Sequence, residues 1–224
     1  MESRSKSRWQ DLRRHDAHYR TRLSIDRLCG VDEAGRGPLA GPVVAAAVVL
    51  PPRVQLPGLD DSKVLDPDTR EALAGSVRAR ARAIGWAVVG PRTIEQLNIL
   101  RATELAMRRS VLRLARLAEP EFVLIDGHRT VPDLAYRQEA VVDGDAKSLA
   151  VAAASVIAKT IRDRIMDRLD RCYPQYGFAR HKGYGTPEHL QALEAHGPCP
   201  WHRYSFAPVR QADLFPVASQ STTR

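Results

Sequence analysis

The run Phe122-Val123-Leu124-Ile125-Asp126 constrains this chain most: four apolar residues close on an acid, directly after a long amphipathic stretch. A strand with no polar alternation is covered on both faces, and that is the situation of a parallel sheet reached through a helical crossover. A second run, Leu28 to Asp32, also ends in acid. Val43 to Leu50 is another strand-sized apolar run, closed by Pro51 and Pro52. Gly35, Gly37, Pro38, Gly41 and Pro42 punctuate a turn between these two, so they read as antiparallel neighbours. The remaining pattern predicts a helix from Pro67 to Arg82 capped by Asp66, with proline at its first position. It predicts a strand over Ile84–Val89, a long amphipathic helix over Thr93–Ala118 and a short strand over Ala140–Val142. A second long helix is expected over Ala146–Cys172, and a short one over Pro187–His196 that Gly197 can end. Such a chain is an α/β layer fold with helices on both faces of a mixed sheet and a helical C-terminal part.

The 224 residues, 44% hydrophobic, suffice for one packed domain. No apolar run approaches the length of a membrane span. Residues 1–27 are polar, with eight Lys/Arg against four Asp/Glu, and read as a basic, mobile or loosely docked extension. Their acids argue against a transit peptide, and they hold no apolar core of a secretion signal. Cys29, Cys172 and Cys199 are odd in number and far apart, which speaks against structural zinc and a disulfide framework. A reducing cytoplasm fits. After Arg210 periodicity is lost, and residues 211–224 read as a flexible tail.

The formal charge is +8. A basic balance suits a polyanionic partner, because cations that neutralise phosphates release counterions. Only five of the 34 cations are lysines. Lys63, Lys147 and Lys182 stand beside Ser62, Ser148 and Gly183 in loops or at a helix start, where a phosphate cradle and ordinary surface charge are both open readings.

If the two acid-ended strands are parallel neighbours, Asp32 and Asp126 lie side by side at one sheet end. Clustered carboxylates repel, and a divalent cation relieves the repulsion; oxygen ligands favour Mg²⁺ or Mn²⁺. Asp143 and Asp145, one loop later, can enlarge the cluster to four. Two cations in such a site would activate water and stabilise the leaving oxygen of a phosphodiester. A lone Asp after a strand is also a common turn former. Asp32 and Glu33, being consecutive, would face opposite sides of a regular strand, so both reach one site only if the strand bends or ends there. Gly35-Arg36-Gly37 reads through Ala40 as a dinucleotide fingerprint, but it leads into a strand rather than a helix, which defeats that reading. A turn whose backbone approaches a sugar-phosphate suits the glycines better. Tyr184, between glycines, can stack on a sugar or base.

The segment Gly30-Val-Asp-Glu-Ala-Gly-Arg-Gly-Pro-Leu-Ala-Gly-Pro-Val-Val44 resembles the opening signature of ribonuclease HII, the type 2 ribonuclease H. Asp61-Ser62-Lys63, Leu97-Asn98-Ile99-Leu100, Leu124-Ile125-Asp126-Gly127, Gly144-Asp145, Ala152 to Lys159 and His181-Lys182-Gly183-Tyr184 are similar too, in the family's order across residues 28–210. The resemblance implies a ribonuclease H-like fold. It implies a metal-dependent endonuclease that hydrolyses the RNA strand of RNA–DNA hybrids. The same activity would nick 5′ of ribonucleotides embedded in duplex DNA, leaving 5′-phosphate and 3′-hydroxyl ends. By matching motifs, Asp32, Glu33, Asp126 and Asp145 would be catalytic and hold Mn²⁺ or Mg²⁺. Gly35, Arg36 and Gly37 would grip the 2′-hydroxyl, Tyr184 would pack on the adjoining deoxyribose, and Ser62, Lys63, Lys147 and Lys182 would contact phosphates. Asp143 stands where the family often has lysine, and His128 where it often has asparagine. Gln211, Leu214 and Phe215 resemble a peptide that docks on bacterial sliding clamps. A hybrid-binding module without catalysis and a junction-resolving nuclease are the competing readings; a monomer is the default state.

Overall fold

The computed structural model describes residues 2–59 and 65–214. Its element order is α1 (Glu2–Leu23), β1 (Leu28–Ala34), β2 (Val43–Val49), α2 (Pro67–Arg80), β3 (Ala83–Val89) and α3 (Pro91–Ala115). Then come β4 (Phe122–Asp126), β5 (Gln138–Val141), α4 (Leu149–Cys172), α5 (Phe178–His181), α6 (Pro187–His196) and α7 (Ala207–Leu214). The strands form one sheet in the order β3-β2-β1-β4-β5. β1 runs antiparallel to β2, with Cys29 opposite Val49 and Asp32 opposite Ala46. It runs parallel to β4, with Leu28 opposite Phe122 and Val31 opposite Ile125. The sheet is therefore mixed, and Asp32 and Asp126 each follow the last residue of a matched pair.

Alternation along the strands divides the core. Ala46 and Val48 of β2 face α1, α2 and α4. Ala45, Ala47 and Val49 face α3, together with Cys29, Val31, Val123 and Ile125. Two glycines set how closely the large helices approach. A Cβ on Gly30 would lie 2.1 Å from the Ala150 carbonyl carbon in α4, and one on Gly85 2.1 Å from the Ser110 oxygen in α3. The alanine-rich first half of α4, buried from Leu149 to Ala158, answers Gly30 with equally small side chains. Each helix thus rests almost backbone to backbone on its face of the sheet, where dispersion contacts are densest.

Several boundaries differ from the sequence reading. Residues 2–23 are a helix rather than a loose extension. Leu12 and Trp9 join the core cluster that holds Ala46 and Val48 of β2 and the first half of α4, and Tyr19 packs near Phe122. The buried Asp16 accepts hydrogen bonds from Ser148 Oγ (2.6 Å) and Ala150 N (3.0 Å), capping α4 from outside. The long helix α3 breaks at Asn98, whose φ of 66° leaves the helical region. Its side chain accepts from Arg101 N at 3.1 Å and restarts the helix. The second long helix begins at Leu149, not Ala146, because Gly144–Ala146 form a separate 3₁₀ turn and Ser148 caps α4. Residues 207–214 are helical as well, anchored by Val209 against Leu39 and Leu193, so the tail read from residue 211 begins inside α7. No described helix is long and apolar enough to cross a membrane.

Candidate active site

β1 carries two acids past the point where its pairing with β4 ends. Asp32 shares its face with Gly30 and looks toward α4, where Ser155 donates a hydrogen bond to it. Glu33 turns to the other face, toward α3. At the sheet end both still reach Asp126, and ligand oxygens of Asp32, Glu33 and Asp126 lie within 4.8 Å of one another. The conflict between consecutive residues and one site is resolved by β4, which ends at Asp126 beside them, while β1 itself runs on to Ala34 paired with β2.

The electrostatics are those of crowded carboxylates. Burial, then Glu33 and Asp126, push the Asp32 carboxyl well above its ordinary value. Burial raises Glu33 too, and Asp126 adds to it, while Arg36 opposes from 3.4 Å. Asp126 is oriented by the Gly144 amide, which donates to its Oδ1 at 2.7 Å. Such a trio holds negative charge poorly by itself. All-oxygen donors at this spacing fit a hard divalent cation.

Two clefts meet at Glu33, Arg36 and Asp126. One is lined by Thr103, Glu104 and Met107 of α3 and by the loop from Gly127 to Val131. The other holds Asp32, Gly35, Gly37, Ser155, Lys159, Arg162 and Tyr184. Tyr184 is 47% exposed, and a Cβ on Gly37 would sit 3.7 Å from its ring. The turn and the tyrosine thus border the same opening.

The turn is fastened from behind by two fully buried arginines. Arg203 donates to the carbonyls of Gly35 (2.6 Å), Arg36 (2.8 Å) and Gly41 (3.0 Å). Arg162 donates to Pro42 (3.1 Å), Ala40 (3.2 Å) and Lys182 (3.0 Å). Gly35 has a φ of +96°, and a Cβ there would lie 2.0 Å from Arg162 Nε, so glycine is required twice over. Burial and the neighbouring Arg162 bring the Arg203 guanidinium down to about 9, still a cation at neutral pH.

The structure brings Asp32, Glu33, Asp126, Gly35, Arg36, Gly37 and Tyr184 together. Asp145 is buried on the 3₁₀ turn beside Gly144 and stands outside the trio; Asp143, at its start, is exposed with a φ of 52°. Lys147 donates to the Val142 carbonyl, and Lys182 pairs with Asp167; neither lines the two clefts. Ser62, Lys63 and Phe215 lie outside the described residues. Gln211 is an exposed residue of α7, and Leu214 ends that helix. Sequence reasoning missed Ser155, Lys159, Arg162 and Arg203 as site residues. Ser155 and Lys159 lie four apart on α4, the helical spacing of one face, which was the available signal. Arg203 has no local signal, since the carbonyls its guanidinium binds are 162 residues or more away.

With this geometry in place, comparison with known proteins is informative. The family description "Ribonuclease HII" matches residues 29–209. A ribonuclease HII of Geobacillus thermodenitrificans is 52% identical over 211 residues, spanning 94% of this chain and 80% of that protein. The ribonuclease H2 of Pyrococcus horikoshii has a similar structure, with TM-score 0.69, 27% identity and coverage of 84% of this chain and 97% of that one. A ribonuclease HII of Archaeoglobus fulgidus, solved in complex with PCNA, aligns with TM-score 0.66 at 28% identity, covering 79% and 91%. The sheet order, the acid trio at its end and the match across residues 29–209 place this chain in the ribonuclease HII family of metal-dependent ribonuclease H hydrolases.

Proposed function

We propose that this protein hydrolyses the RNA strand of RNA–DNA hybrids and nicks duplex DNA on the 5′ side of an embedded ribonucleotide. The observation that carries this is the shared opening: the acid trio lies beside a backbone turn that two buried arginines hold rigid, with Tyr184 across from it. Cutting at a ribose needs a reader of the 2′-hydroxyl next to the phosphate-cleaving groups, and a glycine turn offers bare backbone at that place.

Asp32, Glu33 and Asp126 would hold Mn²⁺ or Mg²⁺, two ions in the full site, with Asp145 as a further carboxylate. Bound there, the cations supply Lewis-acid stabilisation of charge on the phosphodiester and its leaving oxygen. Ser155 keeps Asp32 aimed, and the Gly144 amide keeps Asp126 aimed. Arg36, paired with Glu33 at 3.4 Å and otherwise exposed, is free to exchange part of that contact for a phosphate. Water adds to phosphorus and the bond to O3′ breaks, leaving a 3′-hydroxyl and a 5′-phosphate. Tyr184 packs on the adjoining deoxyribose, while Ser62, Lys63, Lys147 and Lys182 meet phosphates further along the duplex.

The Archaeoglobus fulgidus relative was solved with PCNA. Gln211, Leu214 and Phe215 would engage a sliding clamp in this protein, which would act as a monomer in the cytoplasm. Deleting residues 211–224 should then abolish clamp binding and spare cleavage.

The decisive assay is cleavage of a labelled duplex carrying one ribonucleotide, with Mg²⁺ or Mn²⁺, beside an all-DNA duplex and an Asp126→Asn variant. A metal-dependent nick 5′ of the ribonucleotide, absent in the variant, is the expected result. Tight binding without a nick under either metal would identify a binding module instead.

A further inference from the structure

Behind Tyr184 lies a group of histidines that the reaction does not use. His189 of α6 and His202 of the following loop are fully buried, with Nε2 atoms 3.0 Å apart. Two like atoms at that distance form a hydrogen bond only if one carries a proton and the other does not. The backbone decides which. The Cys199 amide donates to His202 Nδ1 at 3.0 Å, so that nitrogen is bare and the His202 proton sits on Nε2. At the other end, His189 Nδ1 faces the Tyr184 carbonyl at 2.8 Å and must carry a proton, leaving its Nε2 bare. The two ends are fixed independently, and they agree at the centre. His181 obeys the same logic: its Nδ1 accepts from the Gly183 amide (3.2 Å), and its Nε2 faces the Tyr176 carbonyl (2.7 Å). It stacks on His189 with ring centroids 4.5 Å apart.

We propose that His189 and His202 form a neutral, one-directional relay from the Cys199 amide to the Tyr184 carbonyl, and that they are positioning residues for Tyr184. A second proton on His189 would set N–H against N–H across its 3.0 Å contact with His202, and one on His202 would face the Cys199 N–H at 3.0 Å. The relay is the rear support of a segment already tied at its front. Gly183 O accepts from Leu39 N (2.8 Å), and Arg162 reaches Lys182 O (3.0 Å). With both attachments the tyrosine ring is held against Gly37 at the opening that reads the sugar. Phe178 and Tyr176 pack on the two rings and keep water from competing for their nitrogens. The functional part of this inference rests on the proposed contact between Tyr184 and substrate.

The test has two arms. Long-range ¹H–¹⁵N correlation of the ring nitrogens in the full chain at pH 7, with assignments from single His→Gln variants, reads the tautomers directly. His189 should be protonated on Nδ1, which is the less common form in water, and His202 on Nε2. A His189 protonated on Nε2, or either ring doubly protonated, overturns the relay. In the kinetic arm, His189→Phe removes the donor to Tyr184 and His189→Asn retains one. The Phe variant should raise KM for the single-ribonucleotide duplex on the order of tenfold, the weight of one buried hydrogen bond. Its kcat should stay within about twofold, and Asn should restore KM. An unchanged KM in His189→Phe, beside a raised KM in Tyr184→Ala, overturns the positioning role alone. An unchanged KM in Tyr184→Ala refutes the substrate contact instead, and the tautomers still judge the relay.

Discussion

Asp32 shows how a single side chain couples stability to metal. Its carboxyl titrates above the ordinary value because of burial and two neighbouring acids. A raised acid means that the folded state binds its proton more tightly than the unfolded chain does. Stability without cation therefore declines as pH rises past the ordinary aspartate range, and a cation reverses the decline. Asp32→Asn should melt higher than the parent at pH 8 in a chelator, gain little from Mn²⁺, and lose activity by a factor on the order of 100 or more. Scanning calorimetry with and without Mn²⁺ reads the first two effects. Gly35→Ala should act oppositely, since φ of +96° and the Arg162 contact both oppose a methyl. A loss of about 2–3 kcal/mol in urea unfolding is expected. At this scale the acids were legible because each closes an apolar run. Arg162 and Arg203 were not, because a guanidinium that binds carbonyls leaves no periodic trace in the chain.

Among the elements, α1 is the instructive case. Its buried residues Trp9, Leu12, Asp16 and Tyr19 follow a three-four-three spacing, with Arg20 buried beside the last, but two of the five are charged and the apolar stripe is narrow. Apolar periodicity alone therefore undersold a helix whose attachment is partly polar. Asp16→Ala would leave the Ser148 hydroxyl and the Ala150 amide of α4 without their acceptor. A cost of about 1–3 kcal/mol is expected, measured by urea unfolding. In α3 the break at Asn98 falls inside a stretch that reads as one continuous helix. Asn98 holds a strained positive-φ backbone (φ 66°, ψ 167°) that suits glycine, but its side chain caps the second segment, so neither glycine nor proline marks the break. Asn98→Ala should destabilise by about 1–2 kcal/mol in the same measurement. The sheet core was easier to see, since its strands are short, wholly apolar and bounded by turns.

For the whole molecule with its acid trio neutralised by a cation, acid should be the weak side. Burial lowers His189 and His202 to about 4 from an ordinary 6.5. The unfolded chain thus takes up protons that the folded one refuses. The stability these two groups contribute is full above about pH 6.5 and falls through the window down to about 4, opposite in sign to the contribution of Asp32 without a cation. Urea midpoints across that window should flatten when both histidines are replaced. The formal charge of +8 implies that hybrid affinity falls steeply with salt, whereas the rigid site itself does not change. Much of the topology was legible because β4 reads as a strand buried on both faces and both β1 and β4 end in acid, although their adjacency was only a condition of the sequence reading; the placement of the C-terminal loop over the turn was not legible, since it depends on contacts far apart along the chain.

Those distant contacts set an order of assembly. The sheet, with Asp32 and Asp126 on it, is complete once β5 is in place, but the turn after β1 has its Arg203 fastening only when the last fifth of the chain arrives. During synthesis the acid trio can therefore form before the turn after β1 is anchored. A nascent or truncated chain ending short of Arg203 keeps its carboxylates and lacks the clamp on the turn after β1. Long-range closure is slow, so on the proposed role of this turn, selectivity for the ribose would be the last property the molecule acquires as it folds.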